Sequence, residues 1–144
     1  MNSLCIVSRD QVENLDICIA YSTFGVGNGS VALHAARSIN KGDELLVYLG
    51  GSGIVGIATA KSKAILIERD TPVPNWSFKS SKNGSPPWTY LVPWENYQKI
   101  EPPYSLKFNN IENEETGIKK GWLLQSMKTI SDEQTNKIKM LVGV

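Results

Sequence analysis

The chain has 144 residues, 41% of them hydrophobic and 20% charged, enough to bury one core and too few for two of ordinary size, with no low-complexity tract to leave it disordered. Fifteen lysines and arginines against fourteen aspartates and glutamates leave a net charge of +1, which excludes the global basic field of a strongly cationic nucleic-acid-binding domain and leaves only local patches. No apolar run approaches the ~18 residues that span a bilayer, and Met1 to Val7 lacks the basic flank and apolar length of a signal peptide, so a single cytoplasmic domain over 1–144 with no membrane partner is expected.

Leu4 to Ser8 reads as an opening strand, and the polar run Arg9 to Glu13 as a turn or short helix. Ile17 to Thr23 is a second apolar stretch, followed by Phe24-Gly25-Val26-Gly27-Asn28-Gly29, whose glycines and asparagine predict a bent or mobile loop. Cys5 and Cys18 then lie in apolar, strand-like surroundings and are expected to be free, buried core residues. Ser30 to Ser38 predicts a short helix with Ser30 as its cap, stopped by Asn40-Lys41-Gly42-Asp43. Glu44 to Leu49 and Ile54 to Ala60 flank Gly50-Gly51-Ser52-Gly53, the strongest hairpin signal in the chain, with a further strand at Ala64 to Ile67.

Thr71 to Pro87 collects prolines, serines, Asn83 and Gly84 and reads as a long surface loop, of the length that in compact domains is usually functional or disordered. Trp88 to Trp94 and Ser105 to Phe108 read as strands, and Lys119 to Met127 holds room for another. Ser131 caps a last helix reaching about Leu141, with Gln134 at the reciprocal box position. Five to seven short strands with two or three short helices predict an α+β fold on a curved, barrel-like sheet.

The sequence lacks most signatures of reactive chemistry. There is no phosphate-binding loop, because Gly50-Gly51-Ser52-Gly53 lies between two strands and not before a helix. His34 is the sole histidine, inside a predicted helix, and reads as a surface or packing residue; with two isolated cysteines it does not make a zinc site. The acidic runs Glu112-Asn113-Glu114-Glu115 and Asp132-Glu133 read as a solvated loop and a helix's first turn. No catalytic residue, metal ligand or cofactor is assigned, and a binding role is expected over an enzymatic one.

Three of the four tryptophans, Trp76, Trp88 and Trp94, crowd around the proline-rich loop. Trp88 and Trp94 fit strand positions, whereas Trp76, within Pro74-Asn75-Trp76-Ser77, stands where strand alternation cannot explain it and where an indole could stack on a base. Tyr21-Ser22-Thr23, a glycine-containing loop, a short helix, Gly42-Asp43-Glu44-Leu45-Leu46-Val47-Tyr48, a turn, and Gly53-Ile54-Val55-Gly56-Ile57-Ala58 follow one another in an order that resembles the EVE and YTH domains of the PUA-like superfamily. Phe24-Gly25-Val26 stands where EVE domains have a Trp-Gly-Val-like stretch, and Gln125-Ser126-Met127-Lys128-Thr129-Ile130-Ser131 before the last helix matches the way both domains close.

The resemblance covers nearly the whole chain and implies a PUA-like pseudo-barrel that reads a modified base, most readily methylated DNA, with RNA as the other nucleic acid. It further implies the N-terminal specificity module of a modification-dependent restriction protein, working with a C-terminal AAA+ GTPase motor and a nuclease subunit. Carried onto this sequence, the base pocket draws on Tyr21, Ser22, Thr23, Phe24, Trp76 and Trp88, with the hydroxyls or backbone of Ser22 and Thr23 on the base edge. Arg37, Lys79, Lys82, Lys119 and Lys120 are the expected phosphate contacts. The arginine common near the end of these domains is replaced by Leu123-Leu124. The rival readings are a related RNA-binding domain that reads shape or unmodified sequence, and a small hydrolase whose loops assemble carboxylates.

Overall fold

The computed structural model describes residues 1–68, 71 and 88–144. In chain order the elements are β1 (Ser3–Val7), a 3-10 turn (Arg9–Gln11), α1 (Val12–Tyr21), β2 (Thr23–Val26), α2 (Ser30–Arg37), β3 (Glu44–Leu49), β4 (Gly53–Ala60), β5 (Ile65–Leu66), β6 (Tyr90–Tyr104), a 3-10 helix (Lys120–Leu124), β7 (Met127–Thr129) and α3 (Asp132–Val142). The seven strands form one sheet in the order β2-β6-β4-β3-β1-β7, with β5 also on β6. The sheet curls into a half-barrel with three helices, a mixed α+β architecture consistent with a PUA-like pseudo-barrel.

Burial on both faces explains why the inner strands read as unbroken apolar runs. All five residues of β1 are buried between parallel β3 and antiparallel β7. Cys5, Val7, Leu45, Val47 and Ala58 join Leu15 and Cys18 of α1 and the small residues Ala32, Ala35 and Ala36 of α2 in one core cluster. Leu4, Ile6, Leu46, Ile54 and Ile57 pack with Leu106, Ile118 and Ile138 of α3 in a second cluster. Both cysteines are free and buried, as expected from the sequence.

The curl comes from β6. Its first residues pair with β2 (Val26↔Tyr90 to Thr23↔Pro93) and with β5, and its later residues with β4 (Ala60↔Trp94 to Ile54↔Tyr104). Register shifts between Ile54 and Gly56 and between Ile57 and Thr59 bend the β4–β6 ladder, as bulges do. At the β3–β4 corner Gly53 has φ +114°, and a Cβ there would lie 2.1 Å from the Tyr104 carbonyl oxygen, so the chain has to be glycine at that point.

Several expectations are corrected. Ile17 to Tyr21 is the end of α1, not a strand-like stretch, so Cys18 sits on a helix; Leu15 and Cys18, three residues apart, turn one face inward, and this packing overrides the β-branched Ile17 and Ile19. Phe24 to Val26 belongs to β2 and not to a loop, since its residues are buried and laddered to β6. Helix α2 is capped by Gly29, with Ser30 as its first residue. The strand at Ala64 to Ile67 shrinks to two exposed residues. Strand β6 runs on through Tyr104, while Ser105 to Phe108 is not a strand. Most of Lys119 to Met127 is the 3-10 helix, and β7 begins only at Met127. The predicted loop at Thr71 to Pro87, apart from Thr71, lies outside the described residues.

Candidate functional site

A cleft of about 290 Å³ opens where the end of β1, helix α1, strand β2 and the 3-10 helix converge. Its floor is apolar: Ile6, Val7, Cys18 and Phe24. Gln11, Asn14 and Cys18 recur at spacings of three and four residues, so one face of α1 lines it. Trp88, Leu123, Leu124, Gln125 and Ser126 close the other sides.

Trp88 is seated by a missing side chain. A Cβ on Gly25 would fall 2.4 Å from Cδ2 of the indole and 2.8 Å from Cε2 and Cε3, so the ring lies over the Gly25 backbone at a separation only glycine permits. The indole is half-buried, packs on the first core cluster and borders the cleft. Asn14 supplies the polar feature: its Oδ1 is buried without a hydrogen-bond partner among the described residues. A buried acceptor left unmade costs about 1–3 kcal/mol, which a donor brought by a ligand would offset. Ser126 Oγ is already used, accepting from the Gly27 N–H at 3.0 Å and tying β2's exit to the wall. Among the described residues none that lines the cleft is a carboxylate, a histidine or a cation.

The predicted pocket residues do not form one site. Phe24 and Trp88 share the cleft, but Phe24 is only 3% exposed and stacks on Trp94 at 6.1 Å between centroids, so it is a core aromatic whose edge reaches the floor. Tyr21, Ser22 and Thr23 line a second concavity of about 300 Å³ with Lys61, Leu91, Pro93 and Trp94. There Tyr21 is exposed, and Ser22 caps α1 in the left-handed region (φ 52°). Thr23 is buried, its hydroxyl without a hydrogen-bond partner among the described residues. Trp76 lies outside the described residues.

The predicted phosphate contacts are spread out. Arg37 is exposed at the end of α2, donates from Nε to the Tyr90 hydroxyl at 3.1 Å and sits 5.8 Å over the Tyr90 ring. Lys119 pairs with Glu112 at 2.9 Å. Lys120 is exposed on the 3-10 helix and is not among the residues that line the cleft. Lys79 and Lys82 lie outside the described residues. His34 is exposed on α2.

A polar groove of about 640 Å³ runs along α3, where Glu115 and Glu133 approach from separate elements beside Gln134, Asn136 and Lys137. Among the described residues no group of three or more histidine, cysteine or acidic side chains is placed to hold a metal ion, and no helix is long and apolar enough to cross a membrane.

Asn14, Cys18, Leu124 and Gln125 carry the cleft but were not among the sequence candidates. The helical spacing of residues 11, 14 and 18 is the available signal, masked by the strand-like run Ile17-Cys18-Ile19 within it.

No family model matches the chain, and no curated protein does. Among solved structures it is similar to a protein from Pseudomonas putida (TM-score 0.62, 18% identity, 99% of each chain covered). A hypothetical protein from Leishmania major gives a TM-score of 0.63 at 14% identity over 99% of this chain and 94% of that one. A protein from Pseudomonas syringae gives 0.56 at 17% identity over 99% of each chain. At these identities the likeness shows a shared fold along the whole chain and nothing finer.

Proposed function

We propose that the chain is a non-catalytic reader that takes a single methylated nucleobase into the cleft beside Trp88, turned out of its strand, and serves as the DNA-specificity module of a modification-dependent restriction system. The observation that carries the reading is the indole held over Gly25 beside a neutral cleft in which the Asn14 carbonyl oxygen is buried without a donor among the described residues. A volume of about 290 Å³ lies at the small end of ligand pockets and suits one ring system. Stacking on an aromatic is worth about 1–3 kcal/mol per base, which offsets much of the few kcal/mol needed to extrude it. A neutral lining matches a neutral base, and the exocyclic amine of adenine or cytosine keeps an N–H for Asn14 even when adenine is methylated on that nitrogen. The motor and nuclease expected from the resemblance would act on what this module selects.

The test is a fluorescence-polarisation panel of single strands carrying N6-methyladenine, 5-methylcytosine or neither, as DNA and as RNA, with wild type and Asn14→Ala. One methylated strand is expected to bind best, and Asn14→Ala to weaken it about tenfold. Because that substitution removes an unpartnered acceptor, the melting temperature should stay level or rise. Equal binding of all strands, or an Asn14→Ala variant that binds the best methylated strand as tightly as wild type, would contradict the proposal.

A further inference from the structure

Leu124 is 87% exposed, the most exposed large apolar side chain among the described residues, and it stands at the mouth of the cleft. Full burial of such a side chain is worth about 1.5–3 kcal/mol, and Leu124 forgoes nearly all of it. It does not sit on a frayed end. The 3-10 helix is anchored by Trp122 and Leu123, both packed against the second core cluster, and by backbone bonds from Lys120 to Ile111 (2.7 Å), Trp122 to Lys119 (3.0 Å) and Gln125 to Trp122 (3.1 Å). The fold therefore holds Leu124 out.

Two lysines lie within four residues of it along the chain. Lys120 is exposed on the same turn, and the Lys128 ammonium lies 4.8 Å from the Trp122 ring centroid. Lys119 precedes the turn and shares its charge with Glu112. A protruding apolar group beside a cleft for a flat ring, with lysines four residues away on either side in the chain, is complementary to stacked bases flanked by phosphates.

We infer that Leu124 is a wedge: it enters the gap left in a base-paired DNA duplex when the methylated base swings into the cleft, so the site is built to take its base from duplex DNA, while a single strand uses the cleft without the wedge. This rests on the reading of the cleft as a base pocket. Apolar side chains inserted at a base step replace lost stacking and hold the opened conformation. A single strand has no such gap, so the wedge contributes only where a pair is broken.

The experiment compares wild type, Leu124→Ala and Leu124→Phe on a short DNA duplex and its single strand, each with the best-bound methylated base from the panel above and 2-aminopurine beside it. Wild type should bind the duplex and raise 2-aminopurine fluorescence. Leu124→Ala should weaken duplex binding about tenfold and remove the rise, while changing single-strand affinity less than about twofold; Leu124→Phe should retain both. Since the side chain is exposed, melting temperatures should be equal. Single-strand binding by wild type without duplex binding would overturn the wedge and leave the base pocket standing, as would equal losses by Leu124→Ala on both substrates. Failure of wild type to bind either form would overturn both.

Discussion

Two aromatic rings take their positions from glycines on neighbouring strands. Trp88 lies over Gly25, and Tyr97 reaches so far over Gly56 that a Cβ there would fall 2.1 Å from its hydroxyl oxygen. Tyr97 also stacks near Trp94 at 5.4 Å and donates to the Val55 carbonyl at 3.4 Å. Burial, with smaller contributions from the charges of Asp16 and Cys18, pushes its pKa from 10.0 up to about 12. The folded state thus holds this proton more tightly than the unfolded chain, so the associated stability is complete below pH 10 and is lost as pH rises towards about 12. Burial raises Tyr48 and, most of all, the Cys5 thiol in the same direction. Urea denaturation across this alkaline range should show a steep fall in stability, and Tyr97→Phe should flatten part of it. An unchanged slope in Tyr97→Phe would place the titration elsewhere.

At the scale of elements, the parts set by local chemistry are the parts legible in the sequence. Helix α3 begins at Ser131, whose hydroxyl accepts from the Gln134 N–H at 3.0 Å while the Gln134 side chain accepts from the Ser131 N–H at 3.1 Å. Ser131→Ala should cost about 1 kcal/mol and lower the melting temperature by roughly 3 °C, with binding untouched; a calorimetric scan checks this. The β3–β4 hairpin was equally legible because its Gly51 and Gly53 adopt positive φ. Helix α1 was not, because Ile17 and Ile19 favour strands locally and only packing of Leu15 and Cys18 against the sheet decides for a helix. Strand β2 was hidden for a similar reason: Gly25 looks like a loop residue until Trp88, far along the chain, is found occupying its side-chain space. Strand β6 was legible only at its start: Trp88 to Trp94 reads as a strand, but Pro102 and Pro103 lie in its later part, where proline weakens a strand signal.

For the whole molecule, the half-barrel with its two-sided core was foreseeable from the number of strands and their apolar runs, but the site was only half foreseeable. The curl of β6 brings β2 beside α1 and the 3-10 helix, so Phe24 and Trp88 meet Asn14 and Leu124, while Tyr21 to Thr23 turn to a different concavity. Periodicity cannot reveal such a meeting of distant segments. The account stands on the indole of Trp88 being the surface a base lies against. Incorporation of 5-fluorotryptophan and 19F NMR tests this directly, with Trp94, buried and in ring contact with Phe24 and Tyr97, as the internal reference. Titration with the best-bound methylated oligonucleotide should move the Trp88 resonance progressively and leave that of Trp94 in place. A Trp88 resonance that stays fixed while the oligonucleotide binds would contradict the account.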